Sequence, residues 1–353
     1  MVKKGLTGIA NLGNTCFLNS CLQILSHTYE LHELADSEKC QSILEHKIRE
    51  NNIDAVLFQE WNALRKMMWT ENGIVSPQRF VQCVQYISAQ KNIELFTGWS
   101  QNDICEFMMF IIDCMHNSIA RPVSMKISGT VKTEVDRMAV ESYRILSAIY
   151  SKEYSEIMEM FYGMYVTKLS EIQSDTSHKT KELSLIPAHY FMIDLEAKCA
   201  SIYEGFDLFT CPEKLDGENA WFNEATGEKQ PVMKECTFFS LPTILVICLK
   251  RFSPDGKKKL QNLVDFPVEQ LDLSKYVNGY FSEQYVYDLY GVANHSGSVQ
   301  GGHYTAYVKH QAGDWFHYND TEVTLLDPAK IEATVVSKAA YCLFYRKRNR
   351  FVK

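Results

Sequence analysis

One cysteine, at the point where a turn-rich segment gives way to helical periodicity, constrains this 353-residue chain more than any other feature. The stretch reads Gly8-Ile9-Ala10-Asn11-Leu12-Gly13-Asn14-Thr15-Cys16-Phe17-Leu18-Asn19-Ser20-Cys21-Leu22-Gln23. Asn11, Gly13, Asn14 and Thr15 are turn and cap formers. From Cys16 onward, Phe17, Leu18, Leu22, Leu25 and Leu31 recur at helix-like intervals. Thr15 or Asn14 is the expected cap, which leaves Cys16 in the first turn. There the unpaired backbone N–H groups and the positive end of the helix dipole favour a thiolate, the reactive form of cysteine. Asn11 lies five residues earlier, close enough for its amide to point at whatever the sulfur attacks.

A second segment, far downstream, supplies what such a nucleophile needs. In Val299-Gln300-Gly301-Gly302-His303-Tyr304-Thr305-Ala306-Tyr307-Val308, the residues His303, Thr305, Tyr307 and Lys309 alternate with Tyr304, Ala306 and Val308. That pattern predicts a strand. Gln311-Ala312-Gly313-Asp314 reads as a hairpin connection and Trp315 to Tyr318 as the returning strand. A hairpin brings its two ends together, so His303 faces Asn319. A histidine oriented by an amide or carboxylate is the base a cysteine nucleophile requires. His317 points to the opposite strand face from Tyr318 and reads as structural.

Composition narrows the class without naming it. The chain is long enough for one large domain or two ordinary ones, and its 46% apolar content is that of a globular protein. No run of eighteen apolar residues occurs, so no membrane span is expected, and the N-terminus lacks the apolar core of a signal peptide. Eleven cysteines without framework spacing suggest a reducing compartment. The net charge of −7 argues against a nucleic-acid binder. The cytoplasm is the expected location, with the basic run Arg346-Lys347-Arg348-Asn349-Arg350 as a nuclear signal or, more commonly, a solvated tail.

The pattern divides the chain into helices first and strands later. Helices are expected over Asp54 to Met68, Ser76 to Ser88, Ser100 to Ile119 and Val131 to Tyr162. Strands are expected over Tyr190 to Leu195, Thr243 to Leu249, Tyr285 to Val292 and the histidine hairpin. This order implies an α+β fold with a cleft between its two layers. Asn294-His295-Ser296-Gly297-Ser298 has the composition of a mobile loop.

The cysteine stretch and the histidine hairpin resemble the cysteine and histidine boxes of the ubiquitin-specific protease family, papain-like deubiquitinating cysteine peptidases. Three further segments resemble that family in the same order: Gln101-Asn102-Asp103-Ile104-Cys105-Glu106-Phe107, Leu241 to Phe252, and Ala340 to Arg346. The resemblance covers nearly the whole chain. It implies a single catalytic domain over 1–353, with a helical thumb to about 160, β fingers over about 164–234 and a β palm mainly over 235–353. It implies hydrolysis of the isopeptide or peptide bond after the terminal glycine of ubiquitin, through an acyl-enzyme, with ubiquitin or ubiquitinated proteins as partners and a monomeric enzyme.

Carried over to this chain, Cys16 is the nucleophile, His303 the base and Asn319 the residue that fixes the imidazole. Asp320 is an auxiliary carboxylate. Asn11 and the Cys16 N–H are the oxyanion donors. Asp103 and Glu106, one helical turn apart, are a solvated charged face or, by resemblance, partners for the arginines of ubiquitin's Leu-Arg-Leu-Arg-Gly-Gly tail. Gly301 and Gly302, with Tyr304 beside them, border the channel for Gly-Gly, and the 294–298 loop would close over it. A ubiquitin-like modifier as substrate, or a ubiquitin-binding scaffold without activity, are the competing readings.

The chain departs from the family at one point. Many members carry two CxxC pairs that hold zinc in the fingers, and this chain has no CxxC. Asn219 to Ala225 offers no ligand, and Ser170 to His178 holds one histidine and no cysteine. No structural zinc and no cofactor are expected. Packing by Trp221 and Phe222 is the expected substitute.

Overall fold

The computed structural model describes residues 3–172, 181–224, 226–253 and 255–348. Part of the Ser170 to His178 segment therefore lies outside the described residues.

Helices precede the long strands, as the periodicity implies. The helix Cys16–Leu25 is buried at every position. Around it stand Ile53–Thr70, Gln78–Gln90 and Ile104–Ile119, each presenting an apolar face to one core. The expected helix over Val131 to Tyr162 is two: Glu134–Glu153, opened by a Thr133–Asp136 capping box, and Glu156–Phe161, capped by Ser155. The break has a local cause. The Ser155 hydroxyl accepts the Met158 N–H, which offers the chain a new helix start. The expected helix from Ser100 begins later, at Ile104, because the Asp103 carboxylate accepts the Cys105 N–H at 2.7 Å and the Glu106 N–H at 3.3 Å.

The strands build two main sheets. The central one runs in the order Glu322–Leu325, Trp315–Asn319, Gly301–Lys309, Val286–Ser298, Ala340–Lys347, Ile244–Lys250 and Met192–Glu196, with Leu271–Asp272 pairing beside it. Only its last neighbours, Ile244–Lys250 and Met192–Glu196, pair in parallel. Along Ile244–Lys250, Ile244, Val246 and Cys248 join the helical core while Leu245, Ile247 and Leu249 face a second core on the other side. Burial on both faces explains why that strand is apolar without alternation. A second, four-stranded sheet holds the long strands Gly163–Glu171, Glu182–Tyr190 and Val232–Ser240. The fold is mixed α+β, with the cysteine helix pressed between the helical layer and the central sheet.

Three expectations change. Asn294-His295-Ser296-Gly297-Ser298 is not a loop but the end of Val286–Ser298, paired residue by residue with Gly301–Thr305. Phe222 is 53% exposed and packs no core; Trp221 and Phe222 lie in a small ribbon with Glu228–Gln230. The closing basic run is not wholly a solvated tail. Arg346 pairs with Glu30 at 2.7 Å between the rings of Tyr29 and Tyr290, Lys347 ends the strand, and Arg348 pairs with Asp288. Among the described residues, no helix is long and apolar enough to cross a membrane, and no group of three His, Cys, Asp or Glu is placed to hold a metal.

Candidate active site

The turn before Cys16 is shaped by Asn11. Its Oδ1 accepts the N–H of Gly13 at 2.9 Å and of Thr15 at 3.2 Å. Gly13 and Asn14 take positive φ, 106° and 55°, which glycine and asparagine tolerate. Thr15 occupies the cap position, but its hydroxyl accepts the Leu12 N–H behind it rather than one in the helix ahead. The expected side-chain cap is absent, and the first intrahelical bond is Asn19 N–H to Thr15 C=O. The Cys16, Phe17 and Leu18 amides precede that bond and are left outside the helical ladder.

Cys16 is 3% exposed. Burial pushes its thiol up. The Tyr304 N–H beside the sulfur opposes that rise, the Asp320 carboxylate adds to it, and the N–H groups of Phe17 and Cys16 give smaller relief. The balance is a raised pKa, so the helix start alone does not make the thiolate that the sequence suggests. An adjacent base must take the proton.

Packing locates that base. The helix that carries Cys16 packs on the strand Gly301–Lys309, and Cys16 shares a core with Tyr304, the residue next to His303. The His303 Nε2 is 2.6 Å from the Asn319 Oδ1. Nε2 therefore carries the hydrogen, and Nδ1 keeps the lone pair. The hairpin closes as the alternation requires, with Ala306 to Lys309 opposite Tyr318 to Trp315.

Asp320 follows Asn319 at φ 50° and acts as a hub. One carboxylate oxygen accepts from Asn19 Nδ2 at 2.7 Å and the other from Asn11 Nδ2 at 2.9 Å; its carbonyl accepts the Ile9 N–H at 2.8 Å. Asp320 thus fixes both sides of the cysteine turn to the histidine hairpin. Asn19 had no role assigned from sequence, although a polar residue one turn after Cys16, in a helix otherwise dominated by apolar residues, is a readable signal.

A cleft of about 270 Å³ is lined by Gln101, Asp103, Phe252, His295, Gly301 and Tyr304 among others. Asp103 is less free than a surface carboxylate. Besides capping its helix, it accepts the Tyr341 hydroxyl at 2.5 Å and lies 3.4 Å from that of Tyr304. Glu106 is exposed and outside the cleft lining; burial and then the Asp103 charge raise its pKa. Gly302 has a direct steric reason to be glycine, because a Cβ there would lie 2.3 Å from the His295 ring. Gln101, also unassigned from sequence, accepts the Gly302 N–H and donates to the Gly302 C=O, both at 2.9 Å. A larger cavity of about 630 Å³, against Lys309 and Arg346, contains none of these groups.

Known proteins are similar to this chain along nearly its whole length. Ubiquitin carboxyl-terminal hydrolase 2 of Homo sapiens is 31% identical over 352 residues, which is 97% of this chain and 55% of that protein. The hydrolase of the same name from Gallus gallus is 31% identical over 98% of this chain and 94% of its own length. The chain spans about half the length of the first of these relatives. The solved SAGA Ubp8/Sgf11/Sus1/Sgf73 DUB module bound to ubiquitin aldehyde matches 98% of this chain and 70% of its own, with a TM-score of 0.64 at 22% identity, a likeness of fold. The model of the family described as ubiquitin carboxyl-terminal hydrolase matches residues 7–345, and with the cysteine turn, the histidine hairpin and their order in the sequence it shows that this chain belongs to that family.

Proposed function

We propose that the chain is an active thiol hydrolase that cleaves the bond after the terminal glycine of ubiquitin. The observation that carries this reading is the packing of the Cys16 helix on the histidine strand, where His303 is already oriented by Asn319. Family membership and a relative's structure bound to ubiquitin aldehyde support the substrate.

The chemistry follows from the geometry. His303 Nδ1 takes the Cys16 proton, and the thiolate attacks the carbonyl carbon of the terminal glycine. The oxyanion is met by the Cys16 N–H and by the Asn11 amide hydrogen that Asp320 does not engage. The imidazolium returns its proton to the leaving amine as the C–N bond breaks, which leaves a thioester. His303 then activates water, and the thioester hydrolyses to a carboxylate and free thiol. Asn319 holds the tautomer that makes Nδ1 the base, and Asp320 positions Asn11. The ubiquitin tail enters by the cleft at Asp103, Gly301 and Tyr304. The helical layer, four-stranded sheet and central sheet serve as thumb, fingers and palm of one catalytic unit, which acts as a monomer in the cytoplasm.

A ubiquitin carrying a C-terminal electrophile tests the proposal. Wild-type protein should be labelled at Cys16 and should hydrolyse a ubiquitin-amide reporter, while Cys16→Ala should do neither and still bind ubiquitin. Binding without labelling of the wild type would make the chain a scaffold. Labelling only by a probe built on a ubiquitin-like modifier would change the substrate.

A further inference from the structure

The strand Gly301–Lys309 has two sides. One pairs throughout with Val286–Ser298. On the other, Trp315–Asn319 pairs only with Ala306 to Lys309, so among the described residues Gly301 to Thr305 has no strand partner there. Alternate residues of a strand aim their backbone groups to the same side. Tyr304 shares a core with Cys16, and its N–H lowers the thiol's pKa from this side; the Gly302 N–H and C=O meet Gln101 on it. Gly302 and Tyr304 are about 6.8 Å apart along the strand. An extended chain with its carbonyl over Cys16 therefore runs back along this edge and reaches Gly302 about two residues earlier.

A peptide in that register runs parallel to the strand, and it would meet the Gly302 N–H with one carbonyl and the Gly302 C=O with the N–H two residues further on. The Gln101 carboxamide already makes both bonds. Its Oε1 takes the N–H and its Nε2 gives to the C=O, both at 2.9 Å. It also lies where a side chain at residue 301 would go: a Cβ on Gly301 would be 2.9 Å from Oε1.

We propose that Gln101 is a self-occupying latch, whose side-chain amide fills the backbone-pairing position on Gly302 that the extended acyl tail of the substrate must take. The proposal rests on the reading that a peptide tail enters along this edge. The latch is reversible because Gln101 is exposed and outside any helix or strand, where hydrogen bonds contribute little net stability. It lowers apparent affinity by the fraction of molecules in which it is open. Gln101 thus acts on the reaction by competing with substrate and not by touching the reacting atoms. It also favours tails that can replace both bonds, which an extended backbone does and a proline at that position does not.

Two measurements test this, one of them without substrate. Amide hydrogen exchange at Gly302 in the free protein should be at least tenfold faster in Gln101→Ala than in wild type. Gln101→Glu, which turns a carboxylate toward the Gly302 carbonyl, should move it the same way. Unchanged exchange would overturn the latch whatever the protein acts on. With a ubiquitin-amide reporter, Gln101→Ala should lower KM about tenfold and raise kcat/KM in proportion. A raised KM would make Gln101 a substrate contact, and an unchanged one would make the latch irrelevant to binding; either overturns the proposal. A wild type that cleaves no ubiquitin reporter, alongside faster Gly302 exchange in the variant, would sink the assigned substrate and leave the latch standing.

Discussion

Asn19 donates to Asp320 at 2.7 Å across 301 residues of sequence. That bond joins the helix carrying Cys16 to the turn that follows Asn319. The same carboxylate engages Asn11, so the two sides of the cysteine turn share one anchor.

The Asp320 carboxylate pulls in two directions, and a pH profile separates them. It positions Asn11, and its charge helps hold the Cys16 thiol above its ordinary range. Asp320→Asn keeps a residue that tolerates positive φ but removes the charge and one acceptor. Turnover should fall about tenfold, in line with an oxyanion donor that is less well held. Alkylation of Cys16 should reach half its maximal rate at lower pH than in wild type. No shift would mean that the carboxylate is too far to act on the sulfur, and a shift to higher pH that its charge does not raise the thiol's pKa.

Asn319→Ala should lower turnover about a hundredfold, because the imidazole is then free to adopt the tautomer that puts its hydrogen toward the sulfur. Asn319→Asp should keep most of the activity, since a carboxylate accepts the same Nε2–H. Equal losses in the two variants, measured as kcat on a ubiquitin reporter, would show that Asn319 does more than accept.

Asp103 caps a helix and receives the Tyr341 hydroxyl, so its removal should be felt in stability as well as in binding. Asp103→Ala should cost about 1–2 kcal/mol from the lost cap and should raise KM more than it lowers kcat. Asp103→Asn keeps an accepting oxygen and should recover most of the melting temperature. If KM recovers with it, the role of Asp103 is structural; if KM stays high, the charge itself meets the substrate.

Acid should destabilise the fold well before its carboxylates titrate. His27 is fully buried, its Nδ1–H donates to the Gln23 carbonyl at 2.8 Å, and burial holds its pKa down to about 3. Burial also lowers that of His32, to about 4. Above about pH 6.5 both are neutral in folded and unfolded chains. Below it the unfolded chain takes up protons that the native state refuses, so stability falls with pH. At pH 5 the loss from His27 is roughly 2 kcal/mol, and His32 adds a loss of similar size and the same sign. Urea midpoints at pH 7 and pH 5 measure this, and His27→Gln should about halve the difference.

Local patterns made much of this legible in sequence. The Cys16 junction, the alternation through His303 and the return to Asn319 each depend on neighbours within a few residues, and each lies where its pattern places it. What the sequence hid depends on partners far away. The 294–298 segment has a loop's composition but sits in a strand because Gly301 to Thr305 pairs with it. Asp103 reads as a free carboxylate for the substrate's arginines, and only Tyr341, 238 residues later, shows that it is already engaged. Gln101 carries no pattern of its own, since its role comes from a backbone 201 residues downstream.

The burial of the cysteine helix has a consequence for how the protein is made. Every residue of Cys16–Leu25 is covered, in part by the strands Val286–Ser298 and Gly301–Lys309. At ordinary rates of translation, about fifteen seconds to a minute separates synthesis of the helix from synthesis of those strands. Through that interval the face of the helix that those strands cover stays open, and the thiol lacks the histidine strand. A ribosome-bound intermediate that lacks these strands therefore holds Cys16 without the His303–Asn319 pair.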